Sequence, residues 1–193
     1  MSYSKKMFIK IVLIGEAAVG KTSLRKSYLG ESFPTQHLAT IGADFSSLTK
    51  NINNIPVLFQ IWDLAGQDIF EGLRMSYYRG SLGGILIYSV LEKSSLEALR
   101  TWLAEFEAHT GRGIVPFVVI ANKIDLLEEK ERKEAKALGE KFVKELNLKY
   151  KDKGFKVKFF TTSAKTGENV QSVFDYLGNS IVDYIEFRRK VRG

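Results

Sequence analysis

The sequence predicts an α/β domain: a six-stranded, mostly parallel sheet with one antiparallel strand and about five flanking helices. Three observations carry that expectation. Apolar segments of strand length alternate with segments of helical period along the 193 residues. Several strand candidates, such as Ile85-Leu86-Ile87-Tyr88, are continuous apolar runs, as in parallel strands covered on both faces. One link, Asn51-Ile52-Asn53-Asn54, is too short for a crossover helix, so its strands form an antiparallel hairpin and the other connections are right-handed crossovers. No internal repeat or Pro-rich linker divides the chain, so a single domain is expected over residues 1–193, with its core at about 7–187 and a short basic tail at 188–193.

The elements follow in order. Met7–Ile14 follows Lys5 and Lys6 and precedes Ala17-Ala18, which imitates a signal peptide, but Lys10 interrupts the apolar centre and a first strand fits better. Ala43–Asn51 and Pro56–Asp63 are the hairpin strands, and Gly84–Val90 is the fourth strand. Ser94 with Glu97 reads as a capping box opening a helix whose Leu96, Leu99, Leu103 and Phe106 share one face. Val115–Ala121 is the fifth strand, followed by a helix with the stripe Ala135, Leu138, Phe142 and Leu146. Phe155–Thr161 is the sixth, and Val170, Val173, Phe174, Leu177 and Ile181 mark a last helix ending near Phe187. All three stripes are read as core packing.

Composition narrows the function classes. With 45% hydrophobic and 26% charged residues the chain is not of the disordered type. No apolar run approaches the roughly 20 residues that span a bilayer. Lys+Arg 29 against Asp+Glu 22 gives +7, which favours phosphate-bearing partners. Much of that charge lies in Lys141–Lys158, with seven Lys against two acids; sparse aromatic interleaving makes this a solvated face rather than a nucleic-acid site. The absence of Cys removes disulfides, thiolate metal sites, cysteine nucleophiles and cysteine-linked lipids, and Ser2 stands where myristoylation needs glycine. His37 and His109 stand apart and suggest no metal cluster. The expectation is a cytoplasmic monomer without a stable membrane anchor. Its peripheral contact with anionic membranes would be weak, through Arg188 to Gly193.

The chemistry is concentrated in four motifs. Gly15-Glu16-Ala17-Ala18-Val19-Gly20-Lys21-Thr22 follows the first strand and opens a helix, which is the P-loop pattern in its required context. Its glycines let successive N–H groups turn inward on phosphate oxygens, Lys21 reaches the β- and γ-phosphates, and the Thr22 hydroxyl can ligate Mg²⁺. Ala17, Ala18, Val19 and Ser23 complete the phosphate-lining positions. Asp63-Leu64-Ala65-Gly66-Gln67 ends the third strand, where a carboxylate can hold Mg²⁺ through water and the Gly66 N–H can approach a γ-phosphate. Asn122-Lys123-Ile124-Asp125 follows the fifth strand. Asp125 can accept from the two donors on the guanine edge, Asn122 can meet the acceptor edge, and the Lys123 stem can lie along the ring. Ser163-Ala164-Lys165 ends the sixth strand on the same carboxyl edge, where its backbone can meet the guanine oxygen.

With all four motifs in order, the chain resembles a small GTPase of the Ras superfamily from about Met7 to Phe187. Thr40-Ile41-Gly42-Ala43-Asp44-Phe45, Ile61-Trp62-Asp63-Leu64-Ala65-Gly66-Gln67 and Tyr77-Tyr78-Arg79-Gly80 make it most similar to the Rab family. The resemblance implies a GDP/GTP switch with slow intrinsic hydrolysis and Mg²⁺ as cofactor. It implies Thr40 as the first-switch ligand of Mg²⁺ and sensor of the γ-phosphate, Phe33 as the cover of the guanine edge, and Gln67, with Lys21, as the catalytic pair. Phe45, Trp62 and Tyr77 resemble the aromatic triad presented to effectors, with core packing as the alternative. Effectors, exchange factors and activators are expected at about 35–45 and 64–78, the segments whose order follows the γ-phosphate.

The chain departs from the family pattern at Leu64, where threonine is usual, and at Asp68-Ile69, which replaces a Glu-Arg pair. Ala17 and Ala18 stand where Ras proper has glycines, and a methyl at Ala17 crowds the path of an activator's arginine. Two other readings remain. A nucleotide-locked scaffold is disfavoured by Thr40 and Gln67, and an ATP-using P-loop kinase conflicts with Asn122–Asp125.

Overall fold

The computed structural model describes residues 7–33, 42–64 and 71–192. Its strands are β1 (Met7–Ile14), β2 (Ala43–Ile52), β3 (Ile55–Leu64), β4 (Gly83–Ser89), β5 (Phe117–Asn122) and β6 (Lys158–Thr162). The helices are α1 (Lys21–Tyr28), α2 (Glu71–Tyr78), α3 (Lys93–His109), α4 (Glu129–Lys149) and α5 (Val170–Arg192). The sheet order is β2-β3-β1-β4-β5-β6, with β2 antiparallel to β3 and every other pair parallel. The hairpin turns through Asn53 and Asn54, both at positive φ (49° and 64°), the conformation that matches the right-handed twist of the flanking strands.

Alternation along β1 divides the core in two. Ile9, Ile11 and Leu13 face the side covered by α1 and α5, where Leu24, Val173, Phe174, Leu177 and Ile181 are buried. Val12 and Ile14 face the other side, with Leu99, Leu103 and Phe106 of α3 and Phe142 and Leu146 of α4. The apolar runs of β4 and β5 are buried throughout because helices cover both faces.

Four sequence expectations are corrected. Ser94 and Glu97 form no capping box: Glu92 precedes the first turn of α3 without a side-chain cap. Ser95 instead fastens that turn, donating to the Glu92 carbonyl at 2.6 Å and accepting from the Ser89 N–H at 3.1 Å. A capping box exists at α4, between Glu128 and Glu131. The stripe of α4 is rotated from its expected position: Leu138 is exposed, while Gly139, Phe142, Val143 and Leu146 are buried. The glycine sets that face, because a Cβ there would come within 2.1 Å of the Phe159 ring.

The sixth strand starts at Lys158 rather than Phe155. Asn147 of α4 binds both the N–H and the carbonyl of Val157, at 2.8 and 2.9 Å, and so satisfies the backbone that a longer strand would have paired. Phe155 packs instead into an aromatic group with Phe117, Tyr150 and Tyr184. Finally, α5 continues through Arg192, past the expected end near Phe187.

Gly139 gives the first prediction. In an exposed helix Gly→Ala gains about 1 kcal/mol, but overpacking costs about 1–3 kcal/mol, and the ring at this position has little room to move. Gly139→Ala is expected to lower stability in denaturant titrations of the GDP-loaded protein; a gain would show that Phe159 yields freely.

Candidate functional site

The carboxyl ends of β1, β3, β5 and β6 bring the four motifs to one edge of the sheet. The loop after β1 curls because two glycines adopt conformations closed to other residues. A Cβ on Gly15 (φ 146°) would fall 2.1 Å from the Ile87 carbonyl oxygen, and one on Gly20 (φ 100°) would fall 2.3 Å from Asn122 Nδ2. Ala17 and Ala18 are exposed on the outer rim, and Ala18 takes a positive φ of 58°. Val19 is buried beneath the loop.

Lys21 opens α1 and is 6% exposed. Its ammonium donates to the carbonyls of Gly15 and Glu16 at 2.8 and 2.7 Å, which holds the charge inside the loop. Burial lowers its pKa to about 8, against the upward pull of Asp63 and Glu16. Asp63 at the end of β3 is fully buried, and burial raises its pKa despite Thr22, Lys21 and Arg25, which favour the ionised form. Neither Asp63 carboxylate oxygen makes a hydrogen bond of ordinary geometry. A buried carboxylate lacking such a partner, beside a threonine hydroxyl, is an oxygen donor set suited to a hard divalent cation. These residues therefore fit Mg²⁺.

Arg25, almost as buried as Lys21, ties α1 to the hairpin through Asp44 at 2.7 Å and stands 3.9 Å from Asp63. Sequence reasoning missed it, since a lone arginine one turn into a helix carries no signal.

Asn122 has a structural task beside the one expected of it. Its Nδ2 donates to the Val19 carbonyl at 2.9 Å, and its Oδ1 accepts from Thr162 Oγ1 at 3.1 Å and the Ala164 N–H at 3.2 Å. Both ends of this carboxamide serve the protein and position three loops, while the second N–H of Nδ2 remains available to an acceptor on the base edge. Lys123 is half-exposed at a positive φ of 70°, and Asp125 follows it in a single 3₁₀ turn, half-exposed. Ser163 is buried, with its hydroxyl accepting from the Thr166 N–H at 3.0 Å, while Lys165 is exposed. Ser23 lies buried in the first turn of α1. Phe33 is 41% exposed beyond α1. Thr40, Gly66 and Gln67 lie outside the described residues, as does half of the segments expected to respond to the γ-phosphate.

The three expected aromatics do come together. Phe45 stacks on Trp62 at 5.1 Å, Tyr77 tilts against Trp62 at 5.6 Å, and Lys10 Nζ lies 4.5 Å above the indole. Phe45 is 53% exposed, while Trp62 and Tyr77 are partly buried against the core, so the group runs from the core to the surface.

A second set of contacts, absent from the sequence reading, runs from the P-loop to α2. Trp102 Nε1 donates to Glu16 at 2.9 Å, the Arg74 guanidinium lies 4.7 Å from the Trp102 ring, and Arg74 grips Glu105 through two bonds of 2.7 Å. Only a resolved helix pairing reveals such partners.

The model of the Ras family matches residues 10–183. The chain belongs to the Ras family. It is 36% identical to the Ypt/Rab-type GTPase YPT7 of Saccharomyces cerevisiae, over 93% of this chain and 84% of that protein. It is 33% identical to the Ras-related protein Rab7 of Drosophila melanogaster, over 95% of this chain and 84% of that one. It is also 35% identical to the Ras-related protein RABE1d of Arabidopsis thaliana, over 90% and 75%. The chain is thus a Rab-like small GTPase.

Lys21 makes the site's pH dependence predictable. With its pKa near 8, the side chain carries its proton below that pH and loses it above, while bound phosphates demand the charged form. GDP affinity is therefore expected to be flat up to about pH 7.5 and to fall toward tenfold per unit above pH 8. Lys21→Arg, whose charge does not titrate in this range, should flatten the profile. Titration with a fluorescent GDP analogue between pH 7 and 9 checks it; equal slopes in both proteins would refute the role of Lys21.

Proposed function

We infer that this Rab-like GTPase works as a GDP/GTP switch with the nucleotide bound along the P-loop edge. The observation that supports this best is the buried Lys21 and Asp63, beside a loop whose two glycines admit no side chain. In this reading the loop N–H groups from Ala17 to Ser23 and the Lys21 ammonium hold the phosphates. Thr22, Thr40 and, through water, Asp63 hold Mg²⁺, which when bound neutralises charge on the phosphate oxygens. Asp125 accepts from the guanine donors, Lys123 lies along the base, the Ser163-Ala164-Lys165 backbone meets its oxygen, and Phe33 covers the edge.

Hydrolysis is phosphoryl transfer to water. The chain contributes positioning and electrostatic stabilisation, with Gln67 orienting the water and Lys21 stabilising charge on the transferred group. The alanines at 17 and 18 leave methyl groups on the rim that an activator must pass. Loss of the γ-phosphate releases Thr40 and Gly66, and with them the segments at about 35–45 and 64–78 that effectors, exchange factors and activators read. The Phe45–Trp62–Tyr77 cluster takes Phe45 and Tyr77 from those segments and supplies the apolar anchor of the effector surface. No described helix is long and apolar enough to cross a membrane. The switch acts as a monomer in the cytoplasm, with weak peripheral contact with anionic membranes.

Two substitutions test the reading. Asp125→Asn replaces a double acceptor with a group that offers a donor, so GDP affinity should drop by about 10²–10³-fold while xanthosine diphosphate is gained. Unchanged preference for guanine in competitive titration would dismiss the base assignment. Gln67→Leu should leave nucleotide affinity nearly intact and slow single-turnover hydrolysis of loaded GTP. Hydrolysis at the wild-type rate would place the catalytic role on another residue, and no hydrolysis by the wild type would favour a nucleotide-locked scaffold.

A further inference from the structure

At the end of the sheet away from the P-loop lies a cleft of about 1120 Å³. It opens where the loops that precede β4 and β5 meet the last turns of α5. Arg79, Arg112, Arg188 and Arg189 line it, around a floor that includes Leu82, Tyr184 and Ile185. Among the described residues, no carboxylate forms an ion pair with any of the four arginines. Four arginines lining one cleft with no carboxylate partner concentrate positive charge there, and an external anion would offset it.

The surround is also held in place. The two arginine-bearing loops are joined by the Gly80 N–H to the Thr110 carbonyl at 2.9 Å. Thr110 Oγ1 accepts from the Arg112 N–H at 3.0 Å and donates to the Gly113 carbonyl at 2.6 Å, fixing the turn that carries Arg112. Lys10 Nζ holds the Arg79 carbonyl at 3.1 Å. Tyr184 Oη accepts from Arg188 and donates to the Ile114 carbonyl, each at 3.3 Å, so Arg188 is braced against the floor.

The chemistry of the lining selects the ligand. Guanidinium forks match the oxygens of phosphate in pairs, and four of them across a cleft larger than a typical small-molecule pocket call for several phosphates on one compact molecule. The lysine-rich loop adds attraction at the same end: Phe155 packs on Tyr184 at 5.8 Å, and Gly154 lies against the Phe187 ring. We propose that this cleft binds a small, multiply phosphorylated anion, of the chemistry shared by a polyphosphorylated lipid headgroup and its free soluble counterpart. It is a second phosphate site, separate from the nucleotide site.

The test uses the full chain loaded with GDP and Mg²⁺, so that the P-loop is filled. Inositol hexakisphosphate is titrated by calorimetry at about 0.15 M salt, where bulk attraction is screened beyond about 8 Å. One-to-one binding is expected. Arg112→Gln combined with Arg189→Gln, both at exposed positions, should weaken it at least about tenfold with GDP retention unchanged. Lys144→Gln combined with Lys149→Gln, exposed on α4, should change it less than about twofold.

Co-sedimentation with phosphatidylcholine vesicles containing phosphatidylinositol bisphosphate then separates the sources. Vesicle binding that the soluble probe displaces identifies a lipid-borne headgroup; probe binding without vesicle binding identifies a free metabolite. Absence of probe binding, equal losses in the arginine and lysine variants, or equal displacement by an oligoglutamate peptide would each overturn the proposal.

Discussion

The nucleotide edge depends on one carboxamide. Asn122 joins the P-loop, the end of β5 and the loop after β6 through three hydrogen bonds, and it is 1% exposed. The loops it links come from strands that are not all neighbours in the sheet, so backbone ladders alone do not fix their relative heights. Gly20 has no Cβ because Asn122 fills that space. The P-loop can curl tightly only while this amide supports it, and the buried Lys21 and Asp63 stay aligned only while the P-loop is curled. Removing it would leave a buried carbonyl and N–H without partners, each costing roughly 1–3 kcal/mol.

On the other side of the P-loop, α2 has a defined resting place. Arg74 is clasped by Glu105 and lies on Trp102, and Trp102 holds Glu16. Partly buried charge-assisted bonds of this kind are stronger than exposed pairs such as Lys133–Glu129. Lys10 adds a parallel link, lying above Trp62 and holding the carbonyl of Arg79, the residue just after α2. The helix is thus braced at both ends by groups that reach the P-loop or the aromatic cluster.

Most of the architecture was legible because it rests on local pattern. Burial on both faces of β4 and β5 writes itself as unbroken apolar runs, and a two-asparagine turn announces the hairpin. The P-loop was legible because few residue types tolerate its backbone. Errors arose where tertiary contact overrode pattern: Gly139 redirected the face of α4, Asn147 shortened β6, and Ser95 rather than Ser94 secured α3. The task of Asn122 was hidden for the same reason, since its partners lie 40 to 103 residues away. The contacts of Arg25 and Arg74 were invisible because an isolated arginine carries no information about its neighbours, and Arg188 and Arg189, legible as a basic tail, gave no sign that they share a cleft with Arg79 and Arg112.

The hairpin turn at Asn53-Asn54 also bears on the order in which the molecule is built. Among the described residues it is the one strand pairing that closes a loop of a few residues, and the positive φ at both asparagines prepares the chain for it. Short loops cost the least entropy to close, and hairpins form in about 1–10 μs. Every parallel pair must bring together segments separated by a crossover, which is slower. β2 and β3 can therefore associate early, whereas the P-loop, β5 and β6 meet only once the long-range pairs are in place. The edge that carries the P-loop thus depends on the slowest pairings, and any ligand that binds only the finished edge would draw folding to completion by mass action.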